Sequence, residues 1–231
     1  MASSQYVIEA PEQPSLAVAG QDDRFPVRRI YCVGRNYVAH VREMGGNEER
    51  DPPIFFQKPA DAIVGDNATV PYATITENFH HEMELVVALK SGGYNISEAR
   101  ALDHVYGYGV GLDMTRRDIQ GDGKPWEIAK SFDQSCPCGP LSPVEKVGHI
   151  SSGRISLTVN GETRQDSDID LLIWKVPEII ATLSTYFELK AGDIILTGTP
   201  HGVGPVQPGD VLVGRIDGLE PLTVKIGPRP A

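Results

Sequence analysis

Residues 79–89 read F-H-H-E-M-E-L-V-V-A-L. The run 85–89 is continuously apolar, which suits a buried strand. Glu82 and Glu84 stand two apart at its mouth, and in an extended strand positions i and i+2 face the same side. Their carboxylates therefore project side by side, about 7 Å apart along the chain. Paired carboxylates at the entrance to an apolar strand are costly to bury unless a cation neutralises them. The next apolar run, 105–112, ends at a third carboxylate, Asp113. Oxygen-only donors favour Mg2+, Mn2+ or Ca2+ over Zn2+. Spacing alone equally admits an edge strand whose two glutamates face water.

The surrounding chain has 231 residues, enough for one large domain or two small ones. A formal charge of −10 disfavours nucleic acid and anionic membranes as partners. An anionic small substrate is still allowed, provided a local basic patch or a metal receives it. Of the three cysteines, Cys136 and Cys138 are separated by one proline, which is not a C-x-x-C metal or redox spacing. The odd count argues against a disulfide framework and for a reducing, cytoplasmic setting. Residues 1–21 lack the basic and apolar regions of a signal peptide, and no apolar run reaches the ~20 residues of a membrane helix.

Outward from the acidic strand, residues 1–26 read as an arm or small β element, followed by one β-rich catalytic domain over 27–231. Residues 27–33 form a strand ending at Gly34. A short helix is expected between Asn36 and Gly45, with His40 and Glu43 on one face at i, i+3. Taken alone that pair fits a solvated helix face; paired in a site it would be an imidazole oriented by a carboxylate, a general base. Residues 54–59 form a strand carrying Lys58. Residues 114–120 are expected to be helical, which would bring Asp113, Arg117 and Gln120 near one face. Lys130 by itself reads as a surface lysine. Asn160-Gly161 between alternating residues is a hairpin turn. Pro177 opens an amphipathic helix whose Ile179, Ile180, Leu183 and Phe187 make a core stripe. The glycine-rich loop 197–204 carries Thr199 and lets backbone N–H groups approach a ligand, though it is not a P-loop. Short strands with a few short helices predict a mixed α+β, β-rich domain.

These segments resemble the fumarylacetoacetate hydrolase superfamily in its short single-domain branch. The matching runs are Y-C-V-G-R-N-Y at 31–37, F-F-Q-K-P-A-D-A-I at 55–63, the acidic strand at 79–89, G-L-D-M-T-R-R-D-I-Q at 111–120, P-W-E-I-A-K-S-F-D at 125–133, and G-D-I-I-L-T-G-T-P-H-G-V-G-P-V at 192–206. The resemblance implies a β-roll fold, a homodimer, and Mg2+ or Mn2+ held by Glu82, Glu84 and Asp113. It implies catalytic roles for His40, Glu43 and Lys130, and substrate contacts from Lys58, Arg117, Gln120 and Thr199. Within the superfamily, the 55–63 and 79–89 motifs look most like fumarylpyruvate hydrolases of gentisate-type aromatic catabolism. These cleave the C–C bond of a 2,4-dioxo dicarboxylate to fumarate and pyruvate. Acylpyruvases, oxaloacetate decarboxylases and isomerases are similar too. With the metal and Arg117 on the pyruvoyl carboxylate, Arg35 or Lys58 is expected to meet the distal one.

Overall fold

The computed structural model describes residues 6–39, 51–121 and 125–230. Its centre is the strand Met83–Leu89, all seven residues of which are buried. That strand lies inside a six-stranded mixed sheet. The order is Ser142–Pro143, Val105–Leu112, Met83–Leu89, Asp193–Leu196, Arg29–Gly34 and Ile54–Lys58. A second sheet of five strands packs against it, in the order Glu162–Asp168, Arg154–Val159, Val211–Ile216, Leu222–Gly227 and Ala68–Pro71.

The period-2 alternation of strands decides which side chains meet where. Met83, Leu85, Val87 and Leu89 join a core with Ile155, Leu157, Leu212 and Val224 of the second sheet. Val86 and Ala88 join a separate cluster on the other face, with Cys32, Leu196, Cys136 and Cys138. Being buried on both faces, the strand can be apolar without alternation, which is why 85–89 reads as an unbroken apolar run. Leu16 and Phe25, on the antiparallel pair Ser15–Ala17 and Arg24–Pro26, cover the second cluster.

The remaining elements are short. The 11-residue helix Val176–Tyr186 is the longest described helix, and it buries Ile179, Ile180 and Leu183 as the stripe requires. Phe187 is its C-cap rather than part of the stripe, and it packs on Tyr31 with ring centroids 5.2 Å apart. The Asn160-Gly161 turn has φ of 53° and 84°, both in the left-handed region that a two-residue type I′ hairpin needs. The architecture is the expected β-rich one with few short helices.

One local expectation differs. Residues 114–120 are not a helix: Thr115–Arg116 is a strand paired to His80 and Phe79. The amide of Met114 goes to Ser135 O and that of Arg117 to Asn78 O. These non-local partners win over the weak helical preference of a seven-residue stretch. His40 and Glu43 lie outside the described residues.

Candidate active site

The three carboxylates converge because two neighbouring antiparallel strands deliver them at the same end. Glu84 is paired across the ladder to Gly111, and the Asp113 amide donates to Glu82 O at 2.8 Å. Glu82, Glu84 and Asp113 are all buried, and one oxygen from each lies within 4.8 Å of the others. Burial drives the Glu84 carboxyl pKa well above the ordinary range, and Asp113 and Glu82 push it further in the same direction.

Three cations hold this cluster. Lys130 Nζ bridges Glu82 Oε2 at 2.7 Å and Asp113 Oδ2 at 2.6 Å. Burial works against its charge, but Asp113 and Glu82 outweigh burial and hold its pKa above the usual lysine value. The surface position that Lys130 suggests in isolation is therefore not where it sits. Arg117 pairs with Glu82 and also bonds Gln120 Oε1. Lys58 Nζ lies 2.7 Å from Asp113 Oδ1 and donates to the carbonyls of Met114 and Lys130. Its approach to Asp113 Oδ1 is too misaligned for a hydrogen bond, so that buried oxygen has none.

The donor set fits a hard divalent cation. It is all oxygen, buried and compact. A divalent charge here would also relieve the cost that burial imposes on Glu84.

The carboxylates form one wall of a cavity of about 350 Å³. Arg117, Gln120, Lys130 and Thr199 line it too, together with Val33, Phe56, Trp126 and Arg35. Arg35 is exposed and has φ of 57°, a left-handed backbone that is uncommon for a residue with a side chain. The structure thus gathers Arg35, Glu82, Glu84, Asp113, Arg117, Gln120, Lys130 and Thr199 around one space. It does not bring Lys58 to the cavity wall: that ammonium is buried and taken up by Asp113 and two carbonyls.

Several supporting residues have roles that their sequence context did not indicate. The side chain of Asn36 donates to Thr197 O and Trp174 O and accepts from the Trp174 amide. It thereby joins the 35–37 turn to the 197–199 loop. Gly198 has φ of 98°, and a Cβ there would lie 2.6 Å from Asn36 Cβ. Its N–H donates to Glu84 Oε2 at 2.6 Å. A glycine is therefore required both by the backbone angle and by the close approach. Trp126, with Phe56 edge-on at 5.4 Å, supplies the aromatic wall. The G-R-N-Y and T-G-T strings were the available signals for Asn36 and Gly198.

The chain is similar to known proteins over most of its length. Residues 29–227 match the model of the fumarylacetoacetate (FAA) hydrolase C-terminal family. Fumarylpyruvate hydrolase of Ralstonia sp is 45% identical over 179 residues, covering 76% of this chain and 93% of the relative. The mitochondrial oxaloacetate tautomerase of Homo sapiens is 42% identical over 203 residues, covering 86% and 91%. The crystal structure of fumarylpyruvate hydrolase from Pseudomonas aeruginosa, in complex with Mn2+ and pyruvate, superposes with a TM-score of 0.94. It is 52% identical, with 97% of this chain and 100% of that one covered. The chain belongs to the fumarylacetoacetate hydrolase family.

Proposed function

We propose that this protein is a divalent-metal-dependent hydrolase that cleaves the C–C bond of a 2,4-dioxo acid, with fumarylpyruvate as its substrate and fumarate and pyruvate as products. The observation that carries the proposal is the balance of charge in the cavity. Three buried carboxylates face three contacting cations, Lys58, Lys130 and Arg117. With all three carboxylates ionised, as a bound cation would hold them, they balance the three cations; Mg2+ or Mn2+ then leaves two positive charges, which a dianionic substrate would offset. The resemblance to fumarylpyruvate hydrolases at 45% and 52% identity supports the same substrate.

Glu82, Glu84 and Asp113 would hold the ion. When bound, it supplies Lewis-acid stabilisation of the enolate oxygen that develops as the bond breaks. Arg117 sits beside Glu82 to attract the pyruvoyl carboxylate. Gln120 gives its oxygen to Arg117, which leaves its amide N–H groups as donors for the oxyanion at the attacked carbonyl, together with Lys130. His40, oriented by Glu43, takes a proton from the attacking water. Water adds to the distal carbonyl, the C–C bond breaks with its electron pair passing to the pyruvate enolate, and protonation of that carbon completes pyruvate. Because Lys58 is committed to Asp113 and two carbonyls, the distal carboxylate falls to Arg35, the exposed cation among the cavity's lining residues.

Steady-state assays of fumarylpyruvate, acetylpyruvate and oxaloacetate with Mg2+ test this. A higher kcat/KM for fumarylpyruvate is expected, and a markedly higher value for oxaloacetate would contradict it. The second reading, an oxaloacetate tautomerase or decarboxylase, draws on a tautomerase matched over 86% of the chain at 42% identity and a decarboxylase matched over 84% at 37%. The enzyme is further read as a cytoplasmic homodimer. Exposed Ile54, Ile128 and Tyr186 are available for an interface, and the three cysteines are all free. Light scattering after gel filtration measures the mass.

A further inference from the structure

Gln165 lies on the strand Glu162–Asp168, directly across from Leu157, and is completely buried. Its amide makes four contacts. Oε1 accepts from the Met83 N–H at 3.0 Å and lies 3.1 Å from His81 Nδ1. Nε2 donates to Pro200 O at 2.9 Å and lies 2.8 Å from Thr199 Oγ1. Two of these partners have fixed roles: a backbone N–H only donates and a backbone carbonyl only accepts. They settle which end of the amide is oxygen and which is nitrogen. The other two roles follow. His81 carries its proton on Nδ1, and the Thr199 hydroxyl accepts from Nε2.

A hydroxyl has a single hydrogen. Since Thr199 Oγ1 accepts from Gln165, its own hydrogen remains to donate, and among the described residues it finds no acceptor. Thr199 lines the cavity beside the acidic cluster. A substrate carboxylate or keto oxygen only accepts. We infer that Gln165 is a positioning residue for substrate binding, presenting the Thr199 hydroxyl to the cavity as an obligate donor for the pyruvoyl group. The inference rests on the dioxo-acid reading above. It also gives the 162–168 strand a role in the site: Gln165 joins Met83, inside the acidic segment, to the 199–200 loop.

The test is the Kd of pyruvate for Mn2+-loaded enzyme, measured by titration calorimetry, with thermal unfolding followed in parallel. Thr199→Val should weaken pyruvate about 10-fold or more, the effect of losing a hydrogen bond to a charged group. Gln165→Met should weaken it comparably in the Thr199 background. In the Thr199→Val background the same change should add less than about 2-fold, as residues acting through one another are non-additive. Gln165→Glu, which only accepts when ionised, should turn the hydroxyl away and resemble Thr199→Val. With fumarylpyruvate these variants should raise KM more than they lower kcat. An equal loss from Gln165→Met in both backgrounds would show a merely structural role and overturn the inference. An unchanged Kd in Thr199→Val would overturn it even if no Gln165 variant folds. A wild-type enzyme that binds no pyruvate would sink the proposed function itself. Binding with a Gln165 effect independent of Thr199 leaves that function standing and removes only this inference.

Discussion

Lys130→Met should separate the structural part of the cluster from its metal-binding part. The side chain is buried, and its ammonium bonds Glu82 and Asp113 at 2.7 and 2.6 Å. Methionine keeps the length and packing but removes the charge. Two buried carboxylates then lose a partner they share, and one net negative charge is left on the cluster. Removing one partner of a buried ion pair costs about 3–5 kcal/mol. For a chain of this size about 1 kcal/mol shifts Tm by ~2–4 °C, so the metal-free variant should melt ~6–20 °C lower. Saturating Mn2+ should recover much of that loss, because a divalent ion on Glu82, Glu84 and Asp113 replaces the missing charge and stabilises the native state by mass action. The assay is thermal and urea unfolding of wild type and variant, each in EDTA and in Mn2+. Equal destabilisation with and without metal would refute the idea that Lys130 and the ion neutralise the same carboxylates. Activity of the Mn2+-loaded variant should fall even where stability is recovered, since the proposed oxyanion donor is gone.

The other predictions concern single positions. Arg35→Met should reduce the preference for fumarylpyruvate over acetylpyruvate by ~10–150-fold in kcat/KM, the effect of one charge-assisted hydrogen bond; an unchanged ratio places distal recognition elsewhere. His40→Ala should lower kcat by ~10²–10⁴-fold with KM little altered, and an unchanged kcat would remove His40 and Glu43 from the mechanism. Gly198→Ala should cost ~1–3 kcal/mol through its left-handed backbone and its contact with Asn36. Because its N–H bonds Glu84, Mn2+ affinity should fall as well, read by calorimetry against unfolding temperature.

The sequence made the acidic strand legible because burial on both faces and a carboxylate pair are both written locally. The Asn160-Gly161 hairpin and the 176–186 helix were readable for the same reason: turn chemistry and a 3.6-residue stripe need no distant information. Residues 114–120 misled because their partners, at 78–80 and 135, are distant in sequence. The resemblance points Lys58 at substrate, and its charge suits an anion; only packing shows that Asp113 and two carbonyls take it up. Gln165 sits in an all-polar run, E-T-R-Q-D-S-D, and nothing nearby marks it. Continued from the Asn160-Gly161 turn, the simple hairpin register would set Arg164 opposite Leu157; a bulge between Leu157 and Thr158 shifts it by one residue and turns Gln165 inward.

The most direct test of the account is the fate of fumarylpyruvate with the enzyme stripped by EDTA and then reloaded with Mg2+ or Mn2+. Products would be separated and quantified as fumarate and pyruvate. The account predicts no cleavage in the stripped enzyme and, after reloading, fumarate and pyruvate released in equal amounts. Undiminished cleavage without metal would contradict the role given to Glu82, Glu84 and Asp113. A reloaded enzyme that leaves fumarylpyruvate intact while interconverting the keto and enol forms of oxaloacetate would contradict the hydrolase itself.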